Sequence, residues 1–430
     1  MTRTHLSGRL LAAARSALAP RTAADGAPPA RAGELLLALA RSGPAPLEPA
    51  PLGADPSDRG AAGSDRAGAP LRLAAVVPSF RRGSGGHATI VALLRALAGL
   101  GHSTSVWLED SEGRHRDEPR TLTESSFRDF FGAGPELEVH ASLDAWSGAD
   151  VVLATGWQTV ARALLLPGCR GRAYLVQDHE PDFYASSAES LWAAQSYGMG
   201  LHCIAASAWL AELLRTRYGA RATHFDLALD HSVYHAGGAA QRAGQPAERG
   251  AGGMVAFYAR AVTPRRAVPI GLLALEELAR RRPGVEIALF GEDRALGVPF
   301  EHRALGVLGA RELAGLYRSA DVGMVLSLSN PSLVCLEMMA CGLPCVELAS
   351  EPMLATFGTA GTPVLAGPDP LALCDAIEAL LDDRAGREHA AARGLELMAE
   401  RTWEHAAMQV QRGVRQALRA SSGDATERAG

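Results

Sequence analysis

Glu337 is a single charge inside an apolar segment. It is the only charged residue in the 25 positions between Asp321 and Glu347. The stretch "SNPSLVCLEMMACGLP" predicts a helix that is capped by Ser332, begins at Leu333 and ends at the glycine and proline of "CGLP". Apolar residues surround the whole helix, so an ionised carboxylate there needs hydrogen-bond partners. Two neighbouring sugar hydroxyls would serve, and an internal arginine is the structural alternative.

Two arginines precede this helix in the chain. Arg260 lies at the end of the predicted strand "MVAFYAR", and Arg265 comes five residues later, just before another helix. Guanidinium groups near a strand end suit bidentate binding of phosphates, although ordinary surface arginines would give the same pattern. The predicted helix N-terminus at Ser332 also favours an anion, because it offers free N–H groups and the positive end of the helix dipole.

A glycine-rich loop follows the first predicted strand, in "PSFRRGSGGHATI". Gly85 and Gly86 open a helix that we expect to begin near Ala88, and glycines there let a ligand approach the backbone closely. The segment can be aligned with the dinucleotide-binding motif GxGxxG/A only if Gly83, Gly85 and Ala88 take the three motif positions and an acidic residue ends the next strand. Four residues separate the strand from the glycines, so the required tight turn is absent and NAD binding is disfavoured.

An acidic loop ends another strand, in "YLVQDHEPDFYASSAES". Asp178, His179, Glu180, Asp182 and Tyr184 follow one another closely in it. Such a loop could bind acceptor hydroxyls or assist proton transfer, and a solvated loop is the alternative.

Composition narrows the function classes. The 430 residues carry a net charge of -5, so no basic surface favours nucleic acid. All basic residues are arginine, which excludes a P-loop lysine, a Schiff-base lysine and a catalytic ammonium. The six cysteines form no CxxC pair and are predicted to be reduced core residues. No apolar run is long enough for a spanning helix and no signal peptide is evident, so a cytoplasmic location is expected.

The elements that must position these residues form two sets. Short buried strands such as "STSVWLE" alternate with helices from Leu71 onward, and the alternation restarts after a Gly- and Ala-rich linker, with strands such as "VGMVLSLS". This pattern predicts an α/β protein with two Rossmann-like, doubly wound domains facing a ligand cleft. The expected divisions are a low-complexity, largely disordered leader (1–70), an N-terminal acceptor domain (71–235), a linker (236–253), a C-terminal nucleotide-sugar domain (254–403), and a terminal helix and tail (404–430).

The combination resembles a known family. The ordered segments "YLVQDHEPDFY", "HCIAASAWLAELL", "HFDLALDHSVY", "FYARAVTPRRA" and "LSLSNPSLVCLEMMACGLP" are similar to GT-B glycosyltransferases of retaining family 4. Within that family they look like the bacterial surface-polysaccharide rhamnosyltransferases, which use dTDP-L-rhamnose. The resemblance runs from about Leu71 to Trp403 and leaves the leader uncovered.

The resemblance implies roles for individual residues. Gly85 and Gly86 would lie beside the donor phosphates, and Arg260 and Arg265 would bind the pyrophosphate, with Arg265 replacing the usual lysine. The backbones of three further residues would contact the diphosphate: Ser332, Leu333 and Val334. Glu337 would bind the nucleotide ribose.

One position departs from the family pattern. The family often has a pair of glutamates eight residues apart, and Ser329 replaces the first of them, which usually lies near the transferred sugar. A 6-deoxy sugar would tolerate this loss, so we expect donor specificity to depend on Ser329.

The implied reaction is transfer of L-rhamnose with retention onto a glycan or lipid-linked glycan, without a metal and without a cofactor besides the nucleotide-sugar substrate. A front-face reaction is expected, in which the leaving phosphate takes the acceptor proton while Asp178 and Glu180 orient the acceptor. Peripheral contact with the inner face of the membrane would bring the enzyme to a lipid-linked acceptor. The alternatives are a nucleotide-sugar epimerase on the same fold and a non-catalytic carbohydrate-binding protein.

Overall fold

The computed structural model describes residues 37–39, 69–237 and 252–427, with side chains up to residue 420. Most of the predicted leader and linker lie outside these ranges, although residues 37–39 are helical. The chain divides into two compact units. The described part of the first contains residues 37–39, 69–227 and 403–427, and that of the second contains 228–237 and 252–402.

The first domain is built on seven parallel strands in the order β3-β2-β1-β4-β5-β6-β7. Register is set by pairs such as Val76 with Trp107 and Val76 with Ala154. The central strands are buried nearly end to end, as expected for a parallel sheet covered on both faces. The strands are β1 Arg72–Pro78, β2 Ser103–Glu109, β3 Leu137–His140, β4 Ala149–Ala154, β5 Cys169–Val176, β6 His202–Ala205 and β7 Ala222–His224. Its helices are α1 Gly85–Gly99, α2 Arg120–Phe131, α3 Trp157–Leu165, α4 Ala188–Tyr197 and α5 Ala208–Tyr218.

The second domain has six parallel strands in the order β10-β9-β8-β11-β12-β13. Phe257 pairs with Leu289 on one side and with Met324 on the other. The strands are β8 Met254–Tyr258, β9 Glu286–Phe290, β10 Arg303–Ala304, β11 Val322–Met324, β12 Cys345–Leu348 and β13 Val364–Ala366. Its helices are α6 Val268–Arg281, α7 Ala310–Ser319, α8 Leu333–Ala340, α9 Glu351–Phe357, α10 Pro370–Asp382 and α11 Arg384–Met398.

In both sheets the strand order reverses beside the first strand of the domain. In the first domain β1 lies between β2 and β4, and in the second β8 lies between β9 and β11. Loops that leave adjacent strands at such a switch point run in opposite directions and open a crevice at the carboxyl ends of the strands. Each domain therefore has a preferred place for a ligand.

The C-terminal helix α12, Trp403–Glu427, belongs to the first domain, where it packs on β5, β6 and α1. Its Gln409 side chain bonds Asp226 at 3.0 Å, and Gln411 bonds His102 at 2.8 Å. The division between the units falls after residue 227 rather than 235, because residues 228–237 bond to the second domain, for example Leu229 N–H to the Arg401 carbonyl at 2.9 Å.

Sequence patterns located the central strands but overestimated the length of some of them. The predicted strand Ser103–Glu109 has the observed bounds, but the predicted "VGMVLSLS" strand is strand only over Val322–Met324. Five of the six cysteines are buried as predicted, but Cys169 is partly exposed and is not a core residue. No helix in the described ranges is long and apolar enough to cross a bilayer.

Candidate functional site

Most of the predicted donor-binding residues lie on the two loops at the switch point of the second domain, or in the helix that follows one of them. The chain leaves β8 into Arg260, makes a short 3-10 turn over Pro264–Arg266 and enters α6. It leaves the neighbouring strand β11 through residues 325–332 and enters α8. The strand order thus brings the loop after β8 and the loop after β11 to the same edge of the sheet.

Helix α8 begins where the sequence predicts. Ser332 is its N-cap, and the Ser332 Oγ accepts the Val334 N–H at 3.3 Å. The Leu333 N–H is in the first turn, where it has no intrahelical acceptor. Leu333 and Val334 are only partly buried, so the amide end of the helix is accessible to an anion.

The adjacent arginines have different environments. The Arg260 side chain is partly buried, and its guanidinium has no hydrogen-bond or ion-pair partner among the described residues. Arg265 is also partly buried, and its carbonyl accepts the Leu328 N–H at 3.1 Å. Arg266 is 9% exposed, and its Nη1 donates to the Ser327 Oγ at 2.7 Å. Arg260 is therefore the guanidinium most available to a ligand, while Arg266 is part of the core.

Glu337 has tyrosine partners rather than the arginine considered from the sequence. The Tyr317 hydroxyl donates to Glu337 Oε2 at 3.2 Å, and Tyr234 also hydrogen-bonds the carboxylate. Burial raises the pKa of Glu337 to about 7, and the bonds from Tyr317 and Tyr234 oppose that rise. The residue as a whole is partly exposed. Because a carboxylate offers about four acceptor sites, two tyrosines leave capacity for a sugar hydroxyl.

Ser329 is completely buried, and its Oγ has no hydrogen-bond partner among the described residues. An unmatched buried hydroxyl is uncommon in folded proteins and needs a physical explanation. Its place in the loop between β11 and α8 puts it in the segment that leads to the Ser332 cap.

A second buried carboxylate in this domain was not identified from the sequence. Glu347 on β12 is 0% exposed, and it accepts the Ser327 N–H at 2.9 Å, the Ser327 hydroxyl at 2.6 Å and the Leu348 N–H at 2.9 Å. A single acidic residue in the strand "PCVEL" gives no signal for this role, because its side-chain partner Ser327 lies 20 positions away.

A small cavity opens at the ends of β8, β9 and β10. Glu292 lines it, and its buried Oε2 has no hydrogen-bond partner in the described part of the chain. The other lining residues are Ala259, Leu289, Phe290, Arg294, Leu296, His302 and Ala304. Since Ala259 directly precedes Arg260, the cavity continues the switch-point edge.

In the first domain the glycine loop leads directly into α1, which begins at Gly85, three residues before the predicted start. A side-chain carbon added at Gly85 would meet no atom within 4 Å, and one at Gly86 would lie 3.5 Å from the Gln177 side chain. The His87 imidazole bonds the Ser84 hydroxyl at 2.8 Å and the Pro78 carbonyl at 3.2 Å. Burial lowers the pKa of His87 to about 4, so this ring is neutral at pH 7.

The acidic residues that a dinucleotide fingerprint would require are already engaged. Glu109 bonds Arg162 Nε at 2.7 Å, and Asp110 accepts the Ser79 hydroxyl at 2.6 Å. Asp110 also accepts the Arg114 and His115 amides, each at 3.0 Å. This geometry gives no support to NAD binding.

The acidic loop after β5 is buried, so the solvated-loop alternative is wrong for Asp178, His179 and Glu180, which are 8%, 2% and 5% exposed. Glu180 accepts the Trp157 N–H at 2.7 Å and the Tyr174 hydroxyl at 2.6 Å. Its carboxylate therefore caps α3, and this geometry favours positioning over contact with an acceptor. Asp178 Oδ1 accepts the His179 N–H at 2.9 Å.

One group of possible metal ligands exists among the described residues, namely Cys374, Asp375 and Glu378 on α10. Arg281 bonds Asp375 at 2.6 Å and Glu378 at 2.8 Å. These carboxylates are therefore already neutralised, and the group is a surface ion-pair cluster.

Comparison with known proteins identifies similar sequences for part of the chain. Residues 253–377 match the family model of the WsaF C-terminal domain. The O-antigen biosynthesis protein RfbC of Myxococcus xanthus is 31% identical over 272 residues, which are 62% of this chain and 20% of RfbC. A D-inositol 3-phosphate glycosyltransferase of Corynebacterium diphtheriae is 34% identical over 117 residues, 26% of this chain and 27% of that enzyme. The chain thus spans about a fifth to a quarter of these relatives.

Solved structures establish the fold. Sucrose-phosphate synthase from Thermosynechococcus elongatus has a TM-score of 0.61 at 19% identity, covering 81% of this chain and 99% of that one. Anabaena HepE in complex with UDP and glucose has a TM-score of 0.58 at 13% identity, covering 80% and 100%. A Listeria monocytogenes structure assigned as a UDP-N-acetylglucosamine 2-epimerase has a TM-score of 0.53 at 12% identity, covering 82% and 98%. The predicted fold class, two parallel-sheet α/β domains of the GT-B type, is confirmed.

Proposed function

We propose that this protein is a glycosyltransferase that moves a sugar from a nucleotide-sugar donor onto a glycan acceptor in surface-polysaccharide synthesis. The observation that carries the proposal is one edge of the second domain. The Arg260 guanidinium, which has no partner among the described residues, the capped N-terminus of α8 and the Glu337 carboxylate all belong to this edge. These groups match a diphosphate and a sugar hydroxyl. The names of RfbC and of the Corynebacterium enzyme, and the UDP and glucose in the HepE structure, agree with this assignment.

In the proposed donor site, Arg260 and Arg265 bind the pyrophosphate. The amide end of α8, from Ser332 through Leu333 to Val334, adds hydrogen bonds to it. Electrostatic groups that are fixed before reaction stabilise charge on a leaving diphosphate effectively, because they do not need to reorganise. Gly85 and Gly86 of the first domain are proposed to contact phosphate groups through their exposed backbone.

The cavity beside Ala259 is the proposed place of the nucleobase. Leu289, Phe290 and Leu296 give it apolar walls, and the unmatched Glu292 oxygen offers an acceptor for a base N–H.

The proposed donor is dTDP-L-rhamnose. The buried, neutral Ser329 stands where the family pattern has a glutamate, so this position lacks a carboxylate that a polar sugar substituent would need. A 6-deoxy sugar presents a methyl group instead. The 2′-deoxyribose of this donor has one hydroxyl for Glu337, which matches a carboxylate already bonded by two tyrosines.

We further propose that transfer proceeds on the front face with retention and without a metal, the leaving phosphate accepting the acceptor proton. Asp178 orients the acceptor. Glu180 acts indirectly, by holding the start of α3. Peripheral membrane contact remains part of the proposal, because a lipid-linked glycan would be presented there.

The test is direct. A panel of nucleotide sugars screened by thermal shift should give the largest increase in melting temperature with dTDP-L-rhamnose, because only the folded protein binds it. Incubation with that donor and candidate glycans should release dTDP only when an acceptor is present, and NMR of the product should show the donor's anomeric configuration. Release of an isomerised nucleotide sugar without acceptor would instead establish an epimerase, the alternative that the Listeria structure keeps open on fold grounds. Binding without any turnover would identify a non-catalytic protein.

A further inference from the structure

Three side chains connect the loop after β8 to strand β12. Glu347 lies at the center of β12 and accepts three hydrogen bonds, two from Ser327 and one from the Leu348 amide. The Ser327 Oγ also accepts from Arg266 Nη1 at 2.7 Å. Arg266, Ser327 and Glu347 are 9%, 0% and 0% exposed, so the whole network lies within the core of the domain.

The network contains one acidic and one basic side chain. Burial raises the pKa of Glu347 to about 7, and its hydrogen bonds and the charge of Arg266 oppose that rise. A buried carboxylate and a buried guanidinium each carry a large desolvation cost, which falls when they compensate one another through a shared hydrogen-bonded group. Removing either charge takes away part of the compensation of the other.

The same loop is bonded to the turn that carries Arg265. The Leu328 amide donates to the Arg265 carbonyl at 3.1 Å. On the opposite side, the Ser350 hydroxyl donates to the Ser327 carbonyl at 2.8 Å. Residues 327 and 328 are therefore fixed both to the Pro264–Arg266 turn and to the segment after β12, and they lead directly to Ser329 and the α8 cap.

We propose that Arg266, Ser327 and Glu347 are positioning residues that hold Arg265 and the backbone before α8 in the geometry required by a nucleoside diphosphate. The inference rests on the proposed function of this site. It separates two neighbouring arginines that the sequence does not distinguish: Arg265 contacts the diphosphate, whereas Arg266 acts through the loop.

The test compares a ligand that has the diphosphate with one that lacks it. In Glu347→Gln, the dTDP affinity measured by calorimetry should fall about tenfold, because losing one hydrogen bond to a charged diphosphate costs about this much or more. Thymidine binding, followed by saturation-transfer NMR, should stay within twofold of wild type. Glu286→Gln is the matched control, since Glu286 is an exposed strand carboxylate paired with Arg303 in the same domain. It should leave both affinities unchanged.

A second variant distinguishes loss of positioning from a folding defect. Glu347→Gln combined with Arg266→Met removes both charges, so its melting temperature should return toward the wild-type value while dTDP affinity stays low. Equal weakening of dTDP and thymidine, or recovery of dTDP affinity in the double variant, would overturn the positioning role while leaving the proposed function intact. Wild-type protein that binds none of dTDP, UDP and GDP would refute the proposed function, and the inference with it.

Discussion

The assignment of Glu337 as the group that binds the nucleotide ribose can be tested by changing the protein and the ligand together. The carboxylate already accepts the Tyr317 hydroxyl at 3.2 Å and is bonded by Tyr234, and the residue is partly exposed. In dTDP the available donor is the 3′-hydroxyl, and 2′,3′-dideoxythymidine diphosphate lacks it. Comparing these two ligands on wild type and on Glu337→Gln isolates the one contact.

The expected magnitude follows from the charge on the acceptor. A hydrogen bond to a charged group contributes about 1.5 to 3 kcal/mol, which is about 13- to 160-fold in affinity, whereas a neutral one contributes about 0.5 to 1.5 kcal/mol. Wild type should therefore prefer dTDP over the dideoxy ligand by more than about tenfold at pH 8. In Glu337→Gln this preference should shrink by about 1 to 1.5 kcal/mol, or about five- to thirteenfold.

Titration of the carboxyl gives a second readout. Burial raises the pKa of Glu337 to about 7, so at pH 6 only about a tenth of the molecules carry the ionised acceptor. The wild-type preference for dTDP over the dideoxy ligand should therefore fall between pH 8 and pH 6, while that of Glu337→Gln stays constant. Both ligands carry the same diphosphate, so its own titration cancels in the ratio.

Isothermal titration calorimetry measures both affinities. Tyr317→Phe is the control: it keeps the acceptor but removes a hydrogen bond that opposes the raised pKa of Glu337, so its ligand preference should appear at a higher pH than in wild type. A preference for dTDP that is equal in wild type and Glu337→Gln would show that Glu337 does not contact the 3′-hydroxyl. This result would refute the assignment of Glu337 to the ribose.

Further outcomes follow from the same geometry. Arg260→Met should weaken dTDP binding by about 1.5 to 3 kcal/mol in calorimetry without lowering the melting temperature, because Arg260 has no partner in the described structure to lose; an unchanged affinity would remove it from the donor site. Ser329→Ala should leave the unliganded protein equally or more stable in a denaturant titration, because it deletes an unmatched buried hydroxyl, and clear destabilisation would contradict that. Glu180→Gln should cost about 1 to 3 kcal/mol of unfolding free energy in the same assay, and a loss of activity without any loss of stability would indicate an acceptor contact instead. The folded-state pKa of Glu337 is raised from 4.5 to about 7, so the stability from that group is fully present below pH 4.5 and is lost as the pH rises to 7. The loss is at most about 3 kcal/mol. The unfolding free energy of Glu337→Gln should therefore decline less than that of wild type over this pH range.

The buried strands could be predicted because parallel sheets leave a simple pattern. Segments such as "STSVWLE" and "MVAFYAR" are short and largely apolar, and each contains a central strand, which in the second segment ends two residues early, at Tyr258. Helix α8 was equally readable, since a serine cap and a terminal glycine are local features. The edge strands β7, β10 and β13 have three, two and three residues, which is too short for any periodicity.

The partners of the site residues could not be predicted, because they depend on tertiary contacts. Tyr234 and Tyr317 approach Glu337 from 103 and 20 positions away in the sequence. The acidic loop was located correctly, but nothing local shows that Glu180 points toward the start of α3 rather than toward solvent. Sequence therefore identified which residues could do chemistry at this edge and left open which of them are already occupied.

The arginine cluster after β8 shows why that difference matters. Arg260, Arg265 and Arg266 are chemically identical, and in a chain without lysine each is an equally good candidate for a phosphate. Their roles separate only when their acceptors are known: Arg266 is already bonded to the Ser327 hydroxyl in the core, whereas the Arg260 guanidinium has no acceptor in the described structure. A cation whose charge is already compensated gains little from a ligand, and an uncompensated, partly buried one gains the most. At this edge a binding arginine can therefore be recognised because its guanidinium lacks a protein acceptor. By that criterion, donor binding should depend most strongly on Arg260.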